Sequence, residues 1–340
     1  MKIVVRGANW IGDAVMTIPA LRRLRNIFPD AAISLHTRPW AEGVFRDADF
    51  IDEIIPIDGR GSIRSVIDQS RILREKNFDL AVFFPNSFES ALVARLAHIP
   101  KRLGYSTEQR GFLLTDKLAV PPWKHEVHES KYYLNLVESL SSDGVSADPG
   151  YPDLHVSDKR RSNARTDLFE AGVREGRKVV GIGAGSTNSL AKRWRATNFA
   201  RVADKLSIEQ DADVILLGNE NEADVSRSVL DASHEKHIDL TGQTDLATAI
   251  AILSVLDLFI SNDMGLAHIA AAAGTPTIVI FGPTDENTTR PLGHRVEIIR
   301  EPVECSPCML RECPIDHRCM IRISPERVFE SASKMLETQA

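Results

Sequence analysis

The sequence predicts an α/β protein built from two doubly wound, Rossmann-like parallel-sheet domains that face a cleft. Three observations carry this expectation. Short apolar runs alternate with amphipathic stretches along the chain, the pattern of strands joined by crossover helices. Several runs are apolar throughout, as in strands buried on both faces. The length of 340 residues exceeds one ordinary core and suits two of about 150 residues each.

The elements follow in order. Lys2 to Arg6 forms a strand, and Gly7 to Asp13 a glycine-containing turn. Val15, Ile18, Leu21 and Leu24 stand three residues apart and predict a helix over 14–28. Strands are expected at 32–37, 53–57 and 78–84, and helices at 62–76, 87–97 and 127–140. Ser, Asp, Gly and two prolines over 141–152 break the rhythm and mark a linker. This bounds a first domain of 1–150 and a second of 151–323, with a terminal-helix segment at 324–340. A polar helix at 158–171 opens the second half. Strands follow at 178–183, 212–218, 237–240, 256–261 and 277–281, between helices at 197–210, 223–232, 245–254 and 265–273.

Composition narrows the class. Hydrophobic residues make up 43% and charged residues 26%, the balance of a globular protein. A net charge of −6 excludes a general nucleic-acid binder. No run approaches the roughly 20 apolar residues of a membrane span. The start lacks the pattern of a secretory signal, so the expected compartment is the cytoplasm.

Doubly wound sheets bind ligands at the C-terminal ends of their strands, so the chemistry is sought in those loops. The first loop has neither a G-x-G-x-x-G fingerprint nor a closing Gly-Lys-Ser/Thr. It offers Asp13, either as a helix cap or as a general base facing the cleft, roles that are compatible. The second loop runs through Gly183-Ala184-Gly185-Ser186-Thr187 to Ala191-Lys192-Arg193-Trp194. Small residues admit an anion to the backbone, Ser186 and Thr187 bring hydroxyls, and Lys192 brings a point charge. A flexible Gly/Ser turn with solvated basic residues is the other reading. The third loop, Ser261-Asn262-Asp263-Met264-Gly265-Leu266-Ala267-His268, opens an alanine-rich helix whose free N–H groups favour negative charge. Asp263 either accepts from sugar hydroxyls or caps that helix, and His268 is either packed or catalytic. After another strand, Gly218-Asn219-Glu220 leads to Glu220 and Glu222, which either take a ribose hydroxyl pair or sit exposed at a helix start.

Taken together, these loops resemble glycosyltransferase family 9, the ADP-heptose:lipopolysaccharide heptosyltransferases. The resemblance rests on Trp10-Ile11-Gly12-Asp13, then Pro85-Asn86-Ser87-Phe88 with Ser90-Ala91, then Gly104-Tyr105 after Lys101-Arg102. It continues in Gly183-Ala184-Gly185, Ala191-Lys192-Arg193-Trp194, the Ser261–His268 stretch and Phe281-Gly282-Pro283-Thr284. The Pro-Asn-Ser-Phe and Lys-Arg-Trp pieces look most like the branch that adds the second heptose onto the first. The resemblance implies the GT-B fold, an acceptor-binding N-terminal domain and a C-terminal domain that binds ADP-heptose. It implies inverting transfer with no metal required, Asp13 as base and Lys192 stabilising the leaving diphosphate. Donor contacts then fall to Gly185, Ser186, Thr187, Lys192, Asn219, Glu220, Asp263, Met264, Gly265, Leu266 and His268, and acceptor contacts to Trp10, Asn86 and Ser87. The implied acceptor is lipid A–Kdo–heptose, so peripheral association with the inner face of the cytoplasmic membrane is expected. Arg22, Arg23, Arg60, Arg64, Lys101, Arg102 and Arg110 either line a basic face for that anionic lipid or are ordinary solvated surface.

Cys305, Cys308, Cys313 and Cys319 lie within fifteen residues. They read as ligands of a structural Zn2+ or iron–sulfur cluster, or as reduced thiols in a surface loop. Two other functions stay open on sequence alone: another nucleotide-sugar transferase or epimerase on the same fold, and a non-catalytic binding homologue.

Overall fold

The computed structural model describes residues 1–57, 59, 61–141 and 150–338. Most of the expected linker lies outside them, as does Arg60. The chain divides into two units, Met1–Pro152 and Asp153–Ala340.

The first unit runs β1 (Lys2–Arg6), α1 (Ile11–Met16), α2 (Ile18–Ile27), β2 (Ala32–Thr37), α3 (Ala41–Phe45), β3 (Glu53–Pro56) and α4 (Ile63–Lys76). It continues with β4 (Leu80–Phe83), α5 (Phe88–Leu96), β5 (Lys101–Tyr105), β6 (Asp116–Leu118) and α6 (Glu129–Glu138). Its six parallel strands take the order β3-β2-β1-β4-β5-β6. The helix expected over 14–28 is two helices that meet at Thr17. Pro19 falls in the first turn of α2, where its missing N–H has no intrahelical partner to lose.

The second unit begins with α7 (Asp158–Glu170), β7 (Lys178–Gly183), α8 (Ala196–Glu209), β8 (Ala212–Leu216), α9 (Ala223–Ala232), β9 (Ile238–Asp239) and α10 (Leu246–Leu253). Then come β10 (Leu258–Asn262), α11 (Gly265–Ala272), β11 (Thr277–Phe281), α12 (Glu286–Thr289), β12 (Val296–Arg300), α13 (Arg318–Ile321) and α14 (Pro325–Glu337). Its sheet, β12-β11-β10-β7-β8-β9, repeats the first order when read from the other edge. β8, β10 and β11 are buried along their whole length, which is why they read as continuous apolar runs. The terminal helix α14 is no separate tail: Val328, Phe329, Ala332 and Leu336 belong to the core formed by Val180, Ile260 and Ile280.

In both sheets the winding reverses between the unit's first and fourth strands. That is β1 and β4 in one unit, β7 and β10 in the other. Loops leaving such a pair diverge and open a crevice at the carboxyl edge. Asp13 and the 84–90 loop flank the first switch point, and the 184–194 and 263–268 loops flank the second.

Candidate functional site

The second switch point is a cross-braced set of loops. Asn262, the last residue of β10, staples the loop after β7 at two places. Its Nδ2 donates to the Ala184 carbonyl at 2.7 Å, and its Oδ1 accepts from the Trp194 N–H at 2.9 Å. Trp194 is 2% exposed, edge-on to Phe199, with Nε1–H bound to the Ile323 carbonyl at 3.0 Å. Arg193 folds back to donate to the Ser186 carbonyl at 3.0 Å. Between these anchors Lys192 places Nζ 2.6 Å from Asp263 Oδ2, and the same oxygen accepts from Thr284 Oγ1 at 2.7 Å. One carboxylate therefore joins the loops after β7, β10 and β11.

Asp263 is 5% exposed and does not cap α11. Met264 occupies that position and supplies no side-chain cap. The opening turn of an uncapped helix offers N–H donors with no intrahelical acceptor. Gly265 and Leu266 form that turn, and His268 packs behind them at 6% exposure.

A second brace surrounds Gly185. Asn219 and Glu222 form a capping box after β8, with Asn219 N–H donating to Glu222 Oε2 at 3.0 Å. Asn219 Nδ2 also donates to Thr187 Oγ1 at 2.9 Å, and Thr187 donates to Glu222 Oε1 at 3.3 Å. A Cβ on Gly185 would sit 2.3 Å from the Glu222 carboxyl group, so only glycine fits there. Glu222 is buried at 2% and has a structural task, whereas Glu220 is exposed. The Asn-x-x-Glu spacing is a capping-box signature that could have separated the two glutamates beforehand.

The cysteine segment backs these loops through its main chain. The Ala191 N–H donates to the Arg311 carbonyl at 2.9 Å, and the Cys308 N–H to the Pro283 carbonyl at 2.9 Å. Cys305 and Cys308 are exposed, Cys313 is half-buried and Cys319 is buried. Burial, then the neighbouring Cys305, Cys313 and Cys308, push the Cys319 thiol up. Among the described residues no three Cys, His, Asp or Glu side chains are grouped to hold a metal. Its main-chain bonds hold the segment as a clip across the loops after β7 and β11.

At the first switch point, Trp10 is the N-cap of α1 and is 54% exposed. Asp13 lies in the first turn of that helix, so it is not the cap. A carboxylate there is favoured by the helix dipole. It also faces Tyr133: burial and then Asp13 raise that phenol well above its ordinary value. Gly7 brings the loop onto β2, since a Cβ there would stand 2.8 Å from Thr37 Oγ1.

Asn86 and Ser87 are held by a side chain read from sequence as surface. Arg110 is wholly buried. Its guanidinium donates to the carbonyls of Pro85, Ser87 and Tyr105 and to Asn86 Oδ1, at 2.6, 3.2, 3.0 and 3.1 Å. Asn86 Nδ2 donates on to Tyr132 OH at 3.0 Å, and Tyr132 stacks on Tyr105 at 4.0 Å. Ser87 caps α5 by accepting from the Ser90 N–H. Burial lowers the Arg110 pKa to about 10, leaving it charged. Arg23 pairs with buried Glu138, Arg22 with Asp49, and Arg102 with the Leu113 carbonyl. Of the expected basic face, Arg22, Arg23, Arg102 and Arg110 thus have structural partners, while Lys101 and Arg64 are exposed.

Comparison with known proteins covers nearly the whole chain. Residues 67–318 match the model of glycosyltransferase family 9 (heptosyltransferase). Lipopolysaccharide heptosyltransferase 2 of Salmonella typhimurium is 29% identical over 100% of this chain and 99% of its own. Lipooligosaccharide heptosyltransferase 2 of Campylobacter jejuni is 30% identical over 99% of each. The solved structure of Escherichia coli ADP-heptose lipopolysaccharide heptosyltransferase II superposes with a TM-score of 0.86 at 28% identity, over 100% of this chain and 99% of that one.

Two outcomes are expected from this geometry. Gly185→Ala drives a methyl group into the Glu222 carboxyl and should lower stability by about 1–3 kcal/mol, read by urea denaturation. Arg110→Ala strands several buried acceptors and should lower stability by about 3 kcal/mol or more in urea. Arg110→Lys should not restore it, because an ammonium cannot span the guanidinium's planar fork of donors.

Proposed function

The chain belongs to glycosyltransferase family 9 and is a GT-B heptosyltransferase of lipopolysaccharide inner-core assembly; on that premise we propose how its residues divide the reaction. The donor is ADP-L-glycero-D-manno-heptose, and the step is addition of the second heptose onto the first. Full-length likeness to enzymes named heptosyltransferase 2 supports that step over an epimerase, a UDP-sugar transferase or a non-catalytic homologue.

The observation that carries the donor assignment is Lys192 fixed on Asp263 beside the uncapped start of α11. An ammonium has three donors, and Asp263 engages one of them. Two remain for the diphosphate, together with the opening amides of α11 at Gly265 and Leu266. Gly185, Ser186 and Thr187 bring backbone donors and Ser186 its hydroxyl, while Asn219 and Glu220 line the nucleotide end. Met264 and His268 pack about the same turn. Asp263 acts in this reading as a positioning residue.

Trp10, Asn86 and Ser87 contact the acceptor. Asp13 takes the proton from the acceptor hydroxyl as its oxygen attacks the anomeric carbon of the donor heptose. The bond from that carbon to the diphosphate oxygen breaks on the opposite face, inverting the centre, and ADP leaves with the electron pair. Lys192 and the α11 amides stabilise the charge that grows on it. The step draws on no metal or other cofactor. No helix among the described residues is long and apolar enough to cross a membrane. The acceptor, lipid A–Kdo–heptose, is instead met by peripheral association with the inner face of the cytoplasmic membrane.

Asp13→Asn should reduce kcat by about 10²–10⁴-fold while leaving the fold and the Kd for ADP unchanged. Steady-state turnover with ADP-heptose and calorimetry with ADP check both halves of that statement. Near-normal turnover would remove Asp13 from the mechanism. A larger melting-temperature gain from a UDP-sugar than from ADP-heptose would overturn the donor assignment.

A further inference from the structure

A cavity of about 120 Å3 opens at the carboxyl ends of β1 and β2, against α4 and α5. One water needs roughly 10–15 Å3, so the space takes a polyatomic group. Its polar wall includes Arg6, Asn9, His36, Arg38, Gln69 and Glu89. Ser87, given an acceptor contact above, also borders it, whereas the others have no part in the transfer.

His36 is the telling member. It is 2% exposed, and its Nε2 has no hydrogen-bond partner among the described residues. Buried polar atoms in folded proteins are nearly always paired, and an orphan of this kind marks a place that something else completes. Burial, then the charges of Arg6 and Arg38, lower the His36 pKa to about 3, so the imidazole is neutral and one ring nitrogen carries a hydrogen.

The two arginines add charge without neutralising each other. Arg6 bonds only neutral oxygens: Nη2 donates to Asn9 Oδ1 at 2.8 Å and Nη1 to the Gly7 carbonyl. Burial, then the neighbouring Arg38, lower its pKa to about 10, with Glu89 opposing. Arg38 Nη1 donates to the Gly59 carbonyl at 2.8 Å. Both guanidinium groups and the Glu89 carboxylate line the recess. Guanidinium groups suit the paired oxygens of carboxylates and phosphates.

We propose that this recess is an oxyanion-binding site, in which His36 Nε2–H, Arg6 and Arg38 hold a carboxylate or phosphate group. Two sources carry that chemistry. Under the heptosyltransferase reading, on which this part rests, the anion is borne by the acceptor, and the recess recognises it apart from the reacting sugar. The other source is free inorganic phosphate bound as a fixed part of the fold.

Calorimetric titration of the full chain with sodium phosphate, with ADP present to occupy the donor loops, tests the site without turnover. The expected result is saturable uptake of one phosphate, weakened tenfold or more in Arg38→Gln and in His36→Leu. His36→Leu, which removes the unpaired nitrogen, should also melt no lower than the wild type when phosphate is absent; that keeps the test valid should Arg38→Gln fold poorly. Steady-state kinetics then separates the sources. With an acceptor-borne anion, phosphate competes with the acceptor and not with ADP-heptose, and Arg38→Gln raises the acceptor KM alone. With a free ion, phosphate competes with neither substrate. Absence of saturable uptake by the folded wild type, or uptake undiminished in both variants, overturns the proposal. Uptake in a chain that transfers no heptose would retain the site and reject the enzymatic reading.

Discussion

The second half of the molecule depends on one ion pair. Lys192 Nζ and Asp263 Oδ2 lie 2.6 Å apart, with the carboxylate almost wholly buried. A buried pair of this kind is a poor source of stability, because desolvation offsets most of its attraction. Its value is geometric. Lys192 sits on a loop with a flexible stem, and a lysine left to itself samples many rotamers. The pair removes that freedom before any ligand arrives. Asp263 is held in turn by Thr284, and the main chain beside Lys192 by Asn262. Three strand ends are therefore locked around a single ammonium group. In the proposed reaction, donors preorganised in this way stabilise the leaving diphosphate without reorganising as charge develops.

The first half meets a different demand with the same architecture. There a buried cation, Arg110, gathers three carbonyls and Asn86 and so shapes the loop after β4. Asp13 stands in the first turn of α1, beside Tyr133. Both solutions follow from the strand order. A sheet wound 3-2-1-4-5-6 opens its carboxyl edge between its first and fourth strands. The loops there cannot pack against a regular neighbour and must be braced by side chains instead. Asn262 and Arg110 are those braces.

Much of this was legible in the sequence, for physical reasons. Parallel strands buried on both faces read as unbroken apolar runs, so β4, β8, β10 and β11 were found. β5 begins with Lys101 and Arg102, β6 is three residues long and largely exposed, and β12 is only half-buried; none has that pattern, and all three were missed. Trp10 was missed as a cap because tryptophan has no oxygen to accept from the first turn. Arg110 was read among surface charges since its partners are carbonyls 5 to 25 residues away, which leave no local mark. Arg6, His36 and Arg38 escaped for the same reason: only the pairing of β1 with β2 brings them together.

The pair at the centre of the donor loops is tested most directly by ADP affinity in Asp263→Asn, measured by calorimetry beside Lys192→Met and the double variant. Removing a carboxylate from an anion site should, on charge alone, tighten ADP. If Asp263 serves to hold Lys192 in place, Asp263→Asn instead weakens ADP by about tenfold or more, near 1.4 kcal/mol. The double variant should then bind no worse than Lys192→Met. Tighter or unchanged binding in Asp263→Asn, or fully additive losses in the double variant, would contradict the positioning role.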